Sequence, residues 1–371
     1  MDSSTRRWWL ALTVIVALSA PDLAAEPAAG NVLFVLIDGL RWQEVFRGAE
    51  EDLLDKEKGG VADVAGARAT YWRDTPEARR EALLPFLWSV VAKQGQLWGN
   101  QDRGGVMRVA NGLNFSYPGY SEMLVGFGDP RIDSNDKKPN PNVSVLEWLN
   151  GKPGFCGKVA AFATWDVVPF ILNRQRSGLL VNAGGESLGG VETPEVRLLN
   201  RLKTEIPMRW AGCPYDALAF YTTLEFMKHA RPRVLYLAFG ETDEFGHAGR
   251  YDSYLDSARR NDSYLRTLWE TAQSLPEYRD RTTLIVVTDH GRGDGPQGWR
   301  NHGKDTPGSE HVWCAIMGAH TPPRGEIAGG DAVTLSQVAA TLAAAVGEDF
   351  PAAAPQAAPP LPGAIVPAGT P

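Results

Sequence analysis

Five short runs of apolar residues, at 31–37, 159–164, 233–239, 283–288 and 312–317, recur along the chain between Gly or polar breaks. They are apolar without alternation, which predicts strands of a parallel sheet covered on both faces. Between them the apolar spacing turns helical. Residues 81–93 gather Leu83, Leu84, Leu87, Val90 and Val91 on one face, and 215–229 gather Ala217, Phe220, Leu224 and Met227. Residues 252–274 carry Leu255, Ala258, Leu265, Leu268 and Trp269 at the same spacing, and 334–346 are rich in Leu, Val and Ala. Strands alternating with helices predict an α/β, doubly wound fold: a mostly parallel central sheet with helices on both faces. No internal repeat interrupts this pattern. The polar stretches 129–142 and 182–193 read as long surface loops. In such sheets ligands bind in the crevice beyond the carboxyl ends of the strands.

The two ends differ from this middle. Arg6 and Arg7 precede an apolar run from Trp8 to Ala20, and small residues follow up to Ala25. That pattern predicts a signal peptide over residues 1–25 and an exported, periplasmic or secreted protein. The run is short for a membrane span, which needs about 20 residues, so an uncleaved anchor is the lesser alternative. Residues 351–371 are almost wholly Ala, Pro and Gly, which predicts a disordered tail. The globular domain is expected at 26–350.

Charge and cysteine content narrow the field. With 37 Lys+Arg against 44 Asp+Glu the net charge is −7, which offers no basic face for nucleic acid. Three cysteines, Cys156, Cys213 and Cys314, are too few for a disulfide scaffold and lack zinc-ribbon spacing. In an oxidising compartment Cys156 and Cys213 are one available pair, and Cys314 reads as a buried thiol.

The chemistry lies just after the strands. Residues 31–37 run into Asp38-Gly39; 233–239 run into Gly240 and then Asp243-Glu244-Phe245-Gly246-His247; 283–288 run into Asp289-His290-Gly291. His302-Gly303 precedes the last strand. Three of the six histidines thus sit in Gly-flanked turns at one edge of the sheet. Each element alone reads as an ordinary turn, but together they predict a binuclear metal site. Imidazole and carboxylate donors suit Zn2+, with Mn2+ the alternative. Two such ions about 4 Å apart clamp the attacking and leaving oxygens of a phosphoryl transfer. His229, His311 and His320 read as a helix end, a strand start and a loop residue.

Ser116 stands two residues before Pro118, at the start of a helical segment. Proline suits a first helical turn, and a hydroxyl there meets the positive end of the helix dipole. Ser116 is therefore the candidate nucleophile. Ser121, the rival hydroxyl, falls inside the helix. The triplet Asn114-Phe115-Ser116 also matches a glycosylation acceptor, which a catalytic Ser116 argues against.

In order along the chain these segments resemble the alkaline phosphatase superfamily, and most closely its type I phosphodiesterase/nucleotide pyrophosphatase branch. The carriers are the strand ending in Asp38-Gly-Leu-Arg41, the segment Ser116-Tyr-Pro118, Asp243-Glu-Phe-Gly-His247, Thr288-Asp289-His290-Gly and Asn301-His302-Gly, across residues 31–318. The resemblance implies an alkaline phosphatase-like fold with one metal held by Asp38, Ser116, Asp289 and His290. It implies a second held by Asp243, His247 and His302. The implied activity is hydrolysis of phosphodiesters or phosphomonoesters through a phosphoseryl intermediate, on a small-molecule substrate. Ser116 departs from the Thr of the nucleotide pyrophosphatases, and Gly119-Tyr120 from their Asn-His. Their substrate-binding Asn has two candidates here, Asn135 and Asn142. A sulfatase-like activity is disfavoured because Tyr120 replaces the Arg that formylglycine maturation requires. A phosphoglycerate mutase-like phosphotransferase and a non-catalytic exported binding protein are the remaining alternatives.

Overall fold

A computed structural model describes residues 30–366, so the expected signal peptide at 1–25 lies outside the described residues. Eight strands form one sheet. Four neighbours in its centre, in spatial order Val159–Ala163, Val234–Phe239, Asn31–Ile37 and Thr282–Val287, are all parallel. Leu180–Ala183 extends the sheet in parallel on one side. On the other side Cys314–Gly318 pairs antiparallel to Thr282–Val287, followed by Gly95–Trp98 and the short Gly325–Glu326. The fold is α/β with a mostly parallel sheet between helical layers, as the apolar pattern predicts.

The central strand shows why its run is unbroken. Leu33, Val35 and Ile37 pack into the core on one face, and Val32, Phe34 and Leu36 into a second core on the other. Every residue of the strand is therefore buried, and a polar substitution on either side enters a core. Helices Asp216–Ala230 and Tyr251–Ser274 serve the first core, and Gln337–Ala345 serves the second. No helix of the described residues is long and apolar enough to cross a membrane.

Three expectations need correcting. The helix foreseen over 81–93 is broken: Pro76–Leu83 ends just before Leu84-Pro85, and a π-helical turn, Leu87–Val91, follows. Pro85 has no N–H to continue the ladder and disfavours helical backbone at Leu84. The loop foreseen over 182–193 begins as the edge strand Leu180–Ala183, whose four residues are too few to register as an apolar run. The tail foreseen as disordered from 351 is packed through residue 366. Leu361 and Ala364 are buried in the second core, and Phe350–Ala353 forms a short helix.

That segment is tied down by backbone hydrogen bonds. Ala358 N donates to Gly126 O and Leu361 N to Thr341 Oγ1, each at 2.8 Å. The first of these bonds lands at the end of helix Ser116–Val125, so the segment braces the element that carries Ser116. Its composition is that of a linker, yet Phe350, Ala357, Leu361 and Ala364 are buried in the second core and further hydrogen bonds reach Pro360, Gly363 and Val366. Replacing Leu361 with Ala is expected to lower the unfolding free energy by about 2–4 kcal/mol in chemical denaturation. A change below about 0.5 kcal/mol is the surface-substitution result and would return this segment to a loose tail.

Candidate functional site

Three adjacent parallel strands end at one edge, and each turn beyond them delivers acidic or imidazole groups. Asp38 follows Ile37, Asp243 and His247 lie on the helix Glu241–His247 beyond Phe239, and Asp289-His290 follow Val287. Asp243 and His247 are four apart on that helix, so both side chains face the same way, and His247 Nε2 lies 3.1 Å from Asp243 Oδ2. His302 arrives from the loop before the last central strand. Ser116 opens the helix Ser116–Val125 and is buried, the residue 6% exposed.

These seven residues converge. His290 Nε2 lies 3.3 Å from Asp38 Oδ1, 3.3 Å from Asp289 Oδ2 and 3.4 Å from Ser116 Oγ. It is also 3.8 Å from Asp243 Oδ1. His302 Nε2 lies 3.7 Å from Asp243 Oδ1 and 3.0 Å from His247 Nε2. Donor atoms of Asp38, Asp289 and His290 fall within 4.8 Å of one another, as do those of Asp243, His290 and His302. His290 thus stands between the two groups rather than wholly in one.

The imidazoles are oriented by backbone carbonyls. His290 Nδ1 is 2.8 Å from Gly291 O, and His302 Nδ1 is 3.2 Å from Asn114 O. A carbonyl only accepts, so each Nδ1 carries the hydrogen and each Nε2 is left as a lone pair. Asn114 has φ 54°, the left-handed region that Asn tolerates better than most residues, in the turn whose carbonyl receives His302. Lone pairs of His290 Nε2, Asp38 Oδ1 and Asp289 Oδ2 therefore point at one another. The two carboxylate oxygens are buried without a hydrogen bond. This is a donor set that fits a cation and repels itself without one.

Electrostatics report the same crowding. Burial and then the neighbouring Asp243 push the Asp38 carboxyl well up, and burial and then Asp38 do so for Asp289. His302 is pushed down to about 2 by burial and by His290, which keeps it a neutral donor. Burial also opposes ionisation of Asp243, but Arg292 beside it, with His247 and His302, holds that carboxyl well below its usual range. Glu244 is pushed up to about 7 by burial and by Asp243.

Close backbone approach makes two glycines necessary. Gly39 has φ 61°, and a Cβ there would sit 2.6 Å from Asp243 Oδ1. A Cβ at Gly119 would lie 2.4 Å from Asp289 O, so the Ser116 helix reaches the Asp289 turn only with glycine at that position.

Several site residues were not foreseen. Tyr120 Oη donates to Asp38 Oδ2 at 2.9 Å and fixes that carboxylate from the Ser116 helix. The fully buried Arg292 hydrogen-bonds Asp243 Oδ1 and donates to the carbonyls of Trp299 and Arg300, tying the His302 loop to the Asp243 helix. Asp216 Oδ1 accepts from the N–H groups of Gly240 and Glu241 and so anchors the start of that helix. Of the two Asn candidates, Asn135 lines the cavity and accepts from Tyr117 N at 3.0 Å. Asn142 bonds instead to Asp129 and Arg131. Ser121 receives Asn140 away from the cluster. Asn114, of the glycosylation triplet, is buried.

A cavity of 190 Å³ opens onto the cluster, lined by Asp38, Ser116, Asp243 and His247 together with Trp165, Cys213 and Glu244. All three cysteines are free, so the Cys156–Cys213 pairing does not form; Cys156 is exposed while Cys213 is buried beside the cavity. Cys314 is buried, and burial raises its thiol.

The type I phosphodiesterase/nucleotide pyrophosphatase family model matches residues 61–306. No curated protein matches the chain by sequence. Among solved structures, alkaline phosphatase PafA is similar with a TM-score of 0.58 at 10% identity, over 92% of this chain and 100% of that one. The phosphonate monoester hydrolase SpPMH from Silicibacter pomeroyi gives a TM-score of 0.52 at 16% identity, over 92% of this chain and 78% of that one. The lipoteichoic acid synthase LtaP from Listeria monocytogenes gives 0.51 at 12%, over 87% and 73%. At these identities the likeness is one of fold. The family match spans most of the chain: it belongs to the type I phosphodiesterase/nucleotide pyrophosphatase family, on the alkaline phosphatase superfamily fold.

Proposed function

We propose that this protein is an exported, two-metal hydrolase of small phosphate esters that works through Ser116. The observation carrying the reading is the set of facing lone pairs on His290, Asp38 and Asp289, 3.4 Å or less from one imidazole nitrogen that also faces Ser116 Oγ. Export rests on the pattern of the first 25 residues.

Asp38, Ser116, Asp289 and His290 would hold one divalent cation, and Asp243, His247 and His302 the other. Zinc suits this mix of imidazole and carboxylate, with manganese second. When bound, such ions supply positive charge that makes a hydroxyl more acidic and offsets charge developing on phosphoryl oxygens. The protein's part is positional. The Ser116 helix directs its positive end toward the anionic phosphoryl group. Ser116 Oγ, losing its proton to solvent through the open cavity, attacks phosphorus in line as the bond to the leaving oxygen breaks. Water then breaks the Oγ–P bond and frees the product. Tyr120, Gly291 O and Asn114 O keep Asp38, His290 and His302 aimed while this happens.

Ser116→Ala is expected to reduce turnover of bis-p-nitrophenyl phosphate by about a thousandfold or more while metal content stays near two per chain. Retained turnover in that variant places the nucleophile elsewhere. Tyr120→Phe removes the hydrogen bond that fixes Asp38. It is expected to weaken zinc retention about 10- to 100-fold in competition with a chromophoric chelator, with the circular dichroism unchanged. Unaltered retention would mean that Asp38 needs no such support.

A further inference from the structure

The turn that leads into the Ser116 helix has no backbone scaffold of its own. Among the described residues none of 110–114 takes part in a backbone–backbone hydrogen bond. Its N–H groups go instead to two side chains. Glu122 accepts from Ala110 N at 3.0 Å and from Asn111 N at 2.9 Å. Asn111 Oδ1 in turn accepts from Leu113 N at 2.8 Å and from Asn114 N at 3.3 Å, folding the chain about its own side chain as Asn does in tight turns. Asn111 Nδ2 donates to Glu122 Oε2 at 2.8 Å, which joins the two residues into one unit.

Glu122 is an expensive residue for this task. It is fully buried on the helix Ser116–Val125, where a carboxylate is tolerated only with donors around it. Those donors are the N–H groups of Ala110 and Asn111, Asn111 Nδ2, and Ser336 Oγ at 2.7 Å. All but the last belong to the turn. What the turn delivers is Asn114, at φ 54°, whose carbonyl accepts from His302 Nδ1 at 3.2 Å. The direction of that carbonyl follows from the shape of the turn, and the two side chains set that shape.

We infer that Glu122 and Asn111 are positioning residues for His302: acting through the Asn114 carbonyl, they aim its Nε2 at the second cation site. The inference rests on the two-metal reading above and adds to it a link between the nucleophile's helix and that site. Tyr120 on this helix reaches Asp38 and serves the first site, and Glu122, two residues on, serves the second. One rigid element then fixes the nucleophile relative to a ligand of each cation. Neither Glu122 nor Asn111 touches substrate or cation, so their effect is on aim. His290 is the internal control, because its Nδ1 is held by Gly291 O, which the turn does not carry.

The test follows the histidine Nδ1–H signals in 15N-labelled, metal-free protein by NMR, assigned by replacing each histidine in turn. Both the His290 and His302 signals are expected in the native protein. Asn111→Ala should abolish the His302 signal and leave that of His290 in place. Glu122→Ala should do the same, and Glu122→Gln should restore the signal, because its amide oxygen still accepts from the turn and its amide nitrogen can donate to Ser336 Oγ. Should E122A fail to fold, N111A carries the test, since Asn111 is only half-buried. In calorimetric zinc titration N111A is expected to weaken one of two equivalents about 10- to 100-fold and to leave the other unchanged. A His302 signal unmoved in N111A overturns the inference, and so does loss of both histidine signals together, which is the mark of general loosening. If the signals are unmoved while the native protein takes up two zinc ions, the positioning role falls and the two-metal reading stands. A native protein that binds no zinc removes the two-metal reading and the ligand role of His302 with it.

Discussion

Three carboxylates, Asp38, Asp243 and Asp289, surround a single imidazole nitrogen in the protein interior, and among the described residues Asp243 alone of the three is ion-paired to an arginine, Arg292. Like charges so placed raise one another's free energy, and the low dielectric of the interior magnifies it. Protonation relieves part of this, which is why burial and mutual repulsion push Asp38 and Asp289 up. His290 adds to the crowding, because the bond at Nδ1 fixes its Nε2 lone pair toward the same oxygens. One cation among these atoms answers all three groups. The surrounding structure is organised so that the repulsive arrangement cannot relax away.

The restraints come from both layers of the fold. Parallel strands side by side bring Asp38, the Asp243 helix and Asp289 to one edge, and their burial on both faces leaves no freedom to shift register. Gly119 lets the Ser116 helix close against the Asp289 turn, and Tyr120, the next residue, reaches Asp38 from that same helix. Asp216 holds the first N–H groups of the Asp243 helix, and Arg292 holds the Asp243 side chain. The segment beyond residue 350 then packs on the far end of the Ser116 helix, so the nucleophile's element is braced at both ends.

How much of this the sequence discloses depends on the range of the interaction. Central strands and the residues just beyond them are legible, because continuous burial writes an unbroken apolar run and the next residue must stand at the sheet edge. Asp38, Asp243, His247, Asp289 and His290 were found that way, and His302 and Ser116 from glycine and proline neighbours. Arg292 and Tyr120 were not, because each acts through a side chain crossing to an element distant in sequence, which spacing along the chain does not record. Trp165 stands beyond a central strand, as Asp38 does, and that rule could have drawn attention to it. The edge strands Gly95–Trp98 and Leu180–Ala183 are too short to show a pattern, and Pro85 was overridden by the apolar spacing around it. The residues after 350 misled for a different reason: composition averages over a stretch, whereas Leu361 and Ala364 anchor it individually.

Calorimetric titration of metal-stripped protein with zinc measures the central requirement directly, since it asks whether the facing lone pairs accept cations. Two equivalents per chain are expected, with one of them lost when Asp289 and His290 are both replaced by Ala. A native protein that takes up no zinc, or a double variant that still binds two equivalents, would contradict the account.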